Sequence, residues 1–175
     1  IPLDNYRGET RNADMLLLAE RGTTTILITI EAKADEPFDM RIGEKLVSAG
    51  RGSNIPKRVE HLARAMFGTT PDETPALEHL RYQLLNATAA TMIAARANGA
   101  AEALFVVHEF ATNKTEPEKL QANHDDLIAF VNTLSKGSIC DLKDGTIVGP
   151  FRPPGGKHVP SGIPLFIGKI KRGQG

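Results

Sequence analysis

Between positions 26 and 33 the chain alternates, with Ile26, Ile28, Ile30 and Ala32 at one phase and Leu27, Thr29, Glu31 and Lys33 at the other. A period of two marks a β-strand, whose successive side chains point to opposite faces. The isoleucine phase is expected to face a core, and the Glu-Lys phase to lie at an exposed sheet surface. Upstream, Asp14-Met15-Leu16-Leu17-Leu18-Ala19 reads as another strand, and Glu20-Arg21-Gly22-Thr23-Thr24 supplies a glycine-bearing turn between the two. The pair predicts a β-hairpin. A two-residue turn at Gly22-Thr23 sets Asp14 opposite Glu31; one at Arg21-Gly22 leaves Glu31 on the diagonal but on the same face. A three-residue loop separates the acids unless a bulge restores the phase.

Downstream the spacing becomes helical. Residues 42–49 predict a short helix closed by Gly50-Arg51-Gly52, and Ser53 or Asn54 caps a second helix running through Phe67. In that helix Val59, Leu62, Ala63 and Met66 form the apolar stripe, opposite Lys57, Arg58, His61 and Arg64. After a loop over 68–75, the longest helix is expected over 76–97, rich in alanine for close packing on a sheet and stopped at Asn98-Gly99. The unbroken apolar run Ala103-Leu104-Phe105-Val106-Val107 suits a central strand covered on both faces, reached by a crossover. A helix over 125–134 and two strands over 146–151 and 163–170 complete the chain. Gly155-Gly156-Lys157, in the loop between those strands, lacks the spacing of a phosphate-binding loop. The expected fold class is α/β, a mixed central β-sheet flanked by helices with a C-terminal β-hairpin. One domain spans 1–175, with its core over 10–135 and a C-terminal extension over 136–175.

The polar phase of the second strand carries the candidate chemistry. Asp14, Glu31 and Lys33 offer two carboxylates and an ammonium on one face. Mg²⁺ prefers oxygen ligands, keeps several waters and takes one or two protein carboxylates, so Asp14 and Glu31 suffice. Lys33 would orient the attacking water and add positive field where negative charge develops. The plain alternative is a solvated Glu-Lys pair, which contributes roughly 0–1 kcal/mol. The apolar phase behind the strand and the upstream acid weigh against it. Asp35 and Glu36 read as exposed loop acids close enough to extend the site.

These residues resemble the PD-(D/E)XK phosphodiesterase superfamily, the restriction-endonuclease-like nucleases, whose signature is an Asp followed after a hairpin by Asp/Glu-X-Lys. Asp14 and Glu31-Ala32-Lys33 match it, and the resemblance runs from Asp14 to Phe110. It implies a restriction-endonuclease-like core in which a three-stranded meander is followed by a helix and a further strand. An initial helix, often bringing one more acid, should come first; Glu9 is the nearest candidate. The resemblance also implies metal-dependent hydrolysis of phosphodiester bonds, with DNA as the substrate, Mg²⁺ as cofactor and Mn²⁺ as its substitute. Asp14, Glu31 and the Ala32 backbone carbonyl would bind the metal, with Lys33 beside the attacking water. Several branches place a Gln on the long helix as Gln-X-X-X-Tyr. Here Gln83 lies on that helix, position 87 is Ala, and Tyr82 precedes the glutamine, so Gln83 is a site-orienting candidate outside the motif.

Length and charge narrow the partners. A chain of 175 residues, 41% of them hydrophobic, supports one real core. With 21 basic and 21 acidic residues the net charge is zero, so a polyanion must be met by local clustering. Arg7, Arg11, Arg51, Lys57, Arg58, Arg64, Lys169, Lys171 and Arg172 are the candidates. A single cysteine, Cys140, excludes an intrachain disulfide and a cysteine-based zinc cage, and the five histidines have no ligand-like spacing. No run approaches the ~20 apolar residues of a membrane span and the amino end lacks a signal-peptide pattern, so a soluble, cytoplasmic protein is expected. The start at Ile1 suggests a leading segment beyond this sequence. A homodimer would suit an enzyme that cuts both strands, although no pattern marks a dimer face. Two other readings stand beside this one. One is a nuclease-fold binding module without catalysis; the other is an α/β small-molecule enzyme with a site near His108 and Glu109, at the end of the central strand.

Overall fold

The alternating segment folds as a hairpin in the computed structural model, which describes residues 1–4 and 12–173. Strand β1 (Met15–Arg21) turns through Gly22-Thr23 into β2 (Thr24–Lys33), with Gly22 at φ +63°, a left-handed conformation that glycine adopts without a Cβ penalty. Met15 pairs with Ile30 and Arg21 with Thr24. Continued by one residue, this register sets Asp14 opposite Glu31. Two strands, where the resemblance implied a meander of three, precede the helices among the described residues. Glu9, Arg7 and Arg11 lie outside the described residues.

From β2 the chain crosses over through α1 (Ile42–Val47), α2 (Ile55–Phe67), a 3-10 turn (Pro75–His79) and α3 (Tyr82–Ala97) into β3 (Glu102–Ala111), which runs parallel to β2. The long helix therefore starts at Tyr82, later than its composition predicts. Leu80 and Arg81 are held extended because Ile42 N–H donates to the Leu80 carbonyl (2.9 Å) and Tyr82 N–H to the Met40 carbonyl (3.0 Å). That short bridge fixes where α3 begins and so where Gln83 sits. The far end stops as predicted, with Asn98 as C-cap and Gly99 at φ +65°.

After α4 (Pro117–Leu134), strands β4 (Thr146–Phe151) and β5 (Leu165–Gly173) pair antiparallel, and the five strands lie in the order β1-β2-β3-β5-β4. The last segment is not an extension laid beside a finished core. β5 inserts between β3 and β4, parallel to β3, so Leu165 and Ile167, both fully buried, complete the core. The fold is α/β, with a mixed sheet flanked by helices. No helix among the described residues is long and apolar enough to cross a membrane.

The two sheet faces are reversed from expectation. Leu27, Thr29, Glu31 and Lys33 are buried, while Ile26, Ile28, Ile30 and Ala32 are only half-buried. The reason lies in α3, which packs on β2 and β3: its Thr91 hydroxyl shares a hydrogen bond with Thr29 and its Gln83 amide reaches Glu31. α4 meets the same face further along, where His124 contacts Lys169. β3 holds the interior position expected of it, and its reverse face is covered only in part, with Val106 buried there. Phe105, Val107 and Glu109 are buried under helices, whereas His108 is half-buried and Phe110 exposed on the reverse side.

Candidate active site at the carboxyl ends of the parallel strands

Strands β2, β3 and β5 run in one direction, and their carboxyl ends come together as two charged rows. Glu31 aligns with Val107 and Lys169; Lys33 aligns with Glu109 and Lys171. Alternation keeps all of these side chains on the helix-covered face. Open parallel sheets gather ligands at the carboxyl ends of their strands, which makes this row the place to look for chemistry.

Glu31 and Lys33 are 5% and 4% exposed, so the expected exposed edge is a buried cluster instead. Burying a charge costs several kcal/mol unless it is paired and hydrogen-bonded. Here the compensation is visible. Lys33 Nζ stands 3.5 Å from Glu31 Oε1 and 3.8 Å from Glu36 Oε1, and lies over the Phe38 ring at 5.3 Å from its centroid. The Gln83 side-chain amide donates to Glu31 Oε1. Gln83 belongs to the first turn of α3, so the bridge between Arg41 and Arg81 determines whether this contact forms.

Asp14 is exposed, and its Oδ2 accepts the Ala32 backbone N–H at 2.8 Å. The hairpin thus ties Asp14 to the peptide that joins Glu31 to Ala32. The Ala32 side chain points to the reverse face. Glu36 belongs with the cluster more closely than its loop position suggests. Burial pushes its carboxyl pKa up, but the backbone N–H groups of Glu36, Ala34 and Asp35 and the positive charge of Lys33 outweigh this and hold it below the ordinary value of 4.5. Asp35 instead faces Lys119 on the surface, at 3.9 Å. No group of three or more His, Cys, Asp or Glu side chains among the described residues is placed to hold a metal ion.

The remaining candidates sort by location. Lys169 and Lys171 join the charged rows, while Arg172 falls on the reverse face. Arg58 is buried and paired with Asp4 (Nε to Oδ2, 2.5 Å), a structural role at odds with a phosphate-facing surface. Arg64 pairs with Glu73 at the surface, and Arg51 and Lys57 are exposed. His108 and Glu109 cannot share a pocket, because neighbours in a strand point to opposite faces. His108 stacks on Phe110, 4.1 Å between ring centroids, and Glu109 turns inward.

A second cluster escaped the sequence reading. Lys169, 4% exposed, stands 3.1 Å from Glu109 Oε2, 3.0 Å from His124 Nδ1 and 3.4 Å from Asp144 Oδ1. It borders a cavity of about 480 Å³ lined also by Gln121, Leu142 and Lys171. Both Glu109 carboxylate oxygens are buried there without a hydrogen bond among the described residues, Oε2 meeting Lys169 as an ion pair. The signal available in sequence was Gly168-Lys169-Ile170-Lys171, lysines alternating in an apolar strand as Glu31 and Lys33 do.

No curated protein and no solved structure matches this chain. A family described as Domain of unknown function (DUF6946) matches residues 1–174, and the chain belongs to that family.

Proposed function

We propose that this chain is a metal-dependent phosphodiesterase acting on nucleic acid, DNA in particular, with a restriction-endonuclease-like core. The observation that carries the reading is the hairpin register, which holds Asp14 on the Ala32 peptide across from Glu31 while Lys33 sits 3.5 Å from the Glu31 carboxylate. Two carboxylates and a strand carbonyl are hard oxygen donors, a set that fits Mg²⁺ or Mn²⁺ and does not fit zinc. Asp14, Glu31 and the Ala32 carbonyl would hold the ion. When bound, such an ion makes a coordinated water a better nucleophile and offsets charge developing on the phosphoryl oxygens.

The chain's own groups do the rest. Gln83 fixes the orientation of the Glu31 carboxylate by donating to Oε1. Lys33 supplies a positive charge beside that carboxylate, in surroundings dry enough for it to act strongly on a nearby phosphate or water. Asp14 is exposed and the Glu36 side chain is 53% exposed, so substrate would approach the cluster from their side. The test is cleavage of plasmid, linear and single-stranded DNA and of RNA with Mg²⁺ or Mn²⁺, comparing wild type with Asp14→Asn and Lys33→Met. Metal-dependent cleavage by wild type and its loss in both variants supports the reading. Absence of cleavage on every substrate, together with no metal-induced rise in melting temperature, removes it and leaves a binding module on this fold.

A second reading has its own observation, the cavity beside Glu109. Its volume lies within the ordinary range for small-molecule sites, and Glu109, Lys169 and His124 offer an acid-base set in it. Activity lost in Glu109→Gln and retained in Asp14→Asn would favour that site over the hairpin.

A further inference from the structure

The sheet has two edges, and they are built differently. β4 is blocked as a template: Pro150 offers no N–H, and its register against β5 shifts between Val148 and Phe151. Gly149 sits at φ +130°, where an added Cβ would lie 2.8 Å from the Leu165 carbonyl. Among the described residues, β1 has none of these guards. It runs seven residues in unbroken register with β2 and contains neither proline nor lysine.

Its side chains are apolar on both faces. Met15 (50% exposed) and Leu17 (42%) point to one side, Leu16 (43%) and Leu18 (54%) to the other. A layer laid on either face would cover two of the four. Only a partner arriving along the edge touches them all. Residues flanking a two-residue hairpin turn exchange both backbone hydrogen bonds, and the pattern then alternates. Met15, Leu17, Ala19 and Arg21 therefore turn their backbone groups toward β2. Leu16, Leu18 and Glu20 present theirs outward.

We propose that β1 pairs antiparallel with β1 of a second copy of this chain, across a two-fold axis near Leu17 that is perpendicular to the sheet. The segment Met15-Leu16-Leu17-Leu18-Ala19 is complementary to itself reversed: Leu17 meets Leu17 of the partner subunit, Leu16 meets the partner's Leu18, and Met15 meets the partner's Ala19. With one open edge per copy among the described residues, the contact closes at two subunits and does not propagate into a fibre. The axis keeps like faces together, so both helix layers and both Glu31–Lys33 clusters lie on the same side of the joined sheet. Exposure of Leu16 and Leu18 on the helix-covered face leaves room for the approach. Pairing covers several hundred Å² per copy, near the lower end of specific interfaces at about 600 Å² per partner. The dimer is accordingly concentration-dependent. This inference stands independently of the phosphodiesterase reading.

The test is sedimentation equilibrium of the whole chain over a concentration series, with wild type, Leu18→Pro and the double variant Leu16→Lys/Leu18→Lys. Proline at 18 removes only an outward N–H, and lysines at 16 and 18 replace side chains already exposed. The wild type should rise from 18.9 kDa toward twice that mass, and both variants should stay at 18.9 kDa with unchanged circular dichroism. If Leu18→Pro does not fold, the lysine variant decides. A wild type that remains at 18.9 kDa throughout, or a dimer that survives the lysine substitutions, overturns the proposal.

Discussion

Two buried ion pairs, Glu31 with Lys33 and Glu109 with Lys169, bridge the same two rows of one sheet, and they are satisfied differently. Glu31 has the Lys33 ammonium, the Gln83 amide and a second carboxylate, Asp14, tied to the next peptide. Glu109 has the Lys169 ammonium as an ion pair at Oε2, no hydrogen bond to either oxygen among the described residues, and a cavity beside it. The first arrangement sets an exposed carboxylate across from a buried one, the pairing on which the proposed cation site rests. The second surrounds a lysine with acceptors, which stabilises the lysine and leaves an acid asking for a donor. Similar charges in similar burial thus point to different chemistry, decided by what stands one residue further out.

The contrast can be broken most forcefully at Lys169. Lys169→Met strands a buried carboxylate with no other donor among the described residues, and the expected cost is ~3–5 kcal/mol in chemical denaturation. Combining it with Glu109→Leu should recover most of the loss, because an apolar pair of similar volume often replaces a buried ion pair at little cost. If the double variant is as unstable as the single one, the pair is not what stabilises this row.

Asp14→Asn separates the clusters by function. Its side chain is exposed, so the melting temperature without metal should barely move, while metal-dependent cleavage should fall on the order of 100-fold, roughly 2.7 kcal/mol of barrier. Glu109→Gln should leave cleavage unchanged. Gln83→Ala comes next, removing one hydrogen bond to a charged group for about 1.5–3 kcal/mol by its effect on unfolding. The smallest effect belongs to Glu36. Its folded pKa lies below the unfolded value, so its contribution to stability is present above the unfolded pKa and is lost as pH falls through the folded one. Carbon-detected titration of the Glu36 carboxyl should show a midpoint below 4.5, and Glu36→Gln should differ from wild type at neutral pH but not in acid.

What the sequence revealed about this site was local. Adjacent residues supplied the hairpin and a short set of registers, of which the structure takes the Gly22-Thr23 turn that puts Asp14 across from Glu31. Which face is covered did not follow, because burial depends on where α3 lands. The Thr29–Thr91 contact and the small side chains of α3 bring that helix down on the phase carrying Glu31 and Lys33. Isoleucines on the other phase looked like the core by hydropathy alone. The late start of α3 and the insertion of β5 beside β3 depend on backbone pairings between distant segments, which leave no local periodicity to read. The Glu109–Lys169 cluster was hidden for the same reason. Its members come from β3, β5 and α4 and meet only in the assembled sheet.

The central claim is that the hairpin acids hold a catalytic cation, and Mn²⁺-dependent cleavage of supercoiled plasmid by wild type and Asp14→Asn at matched concentration tests it most directly. Conversion of the plasmid to nicked or linear product by wild type, reduced on the order of 100-fold in Asp14→Asn while Glu109→Gln remains active, is the predicted result. Equal cleavage by wild type and Asp14→Asn, or cleavage that persists with metal chelated, would contradict it.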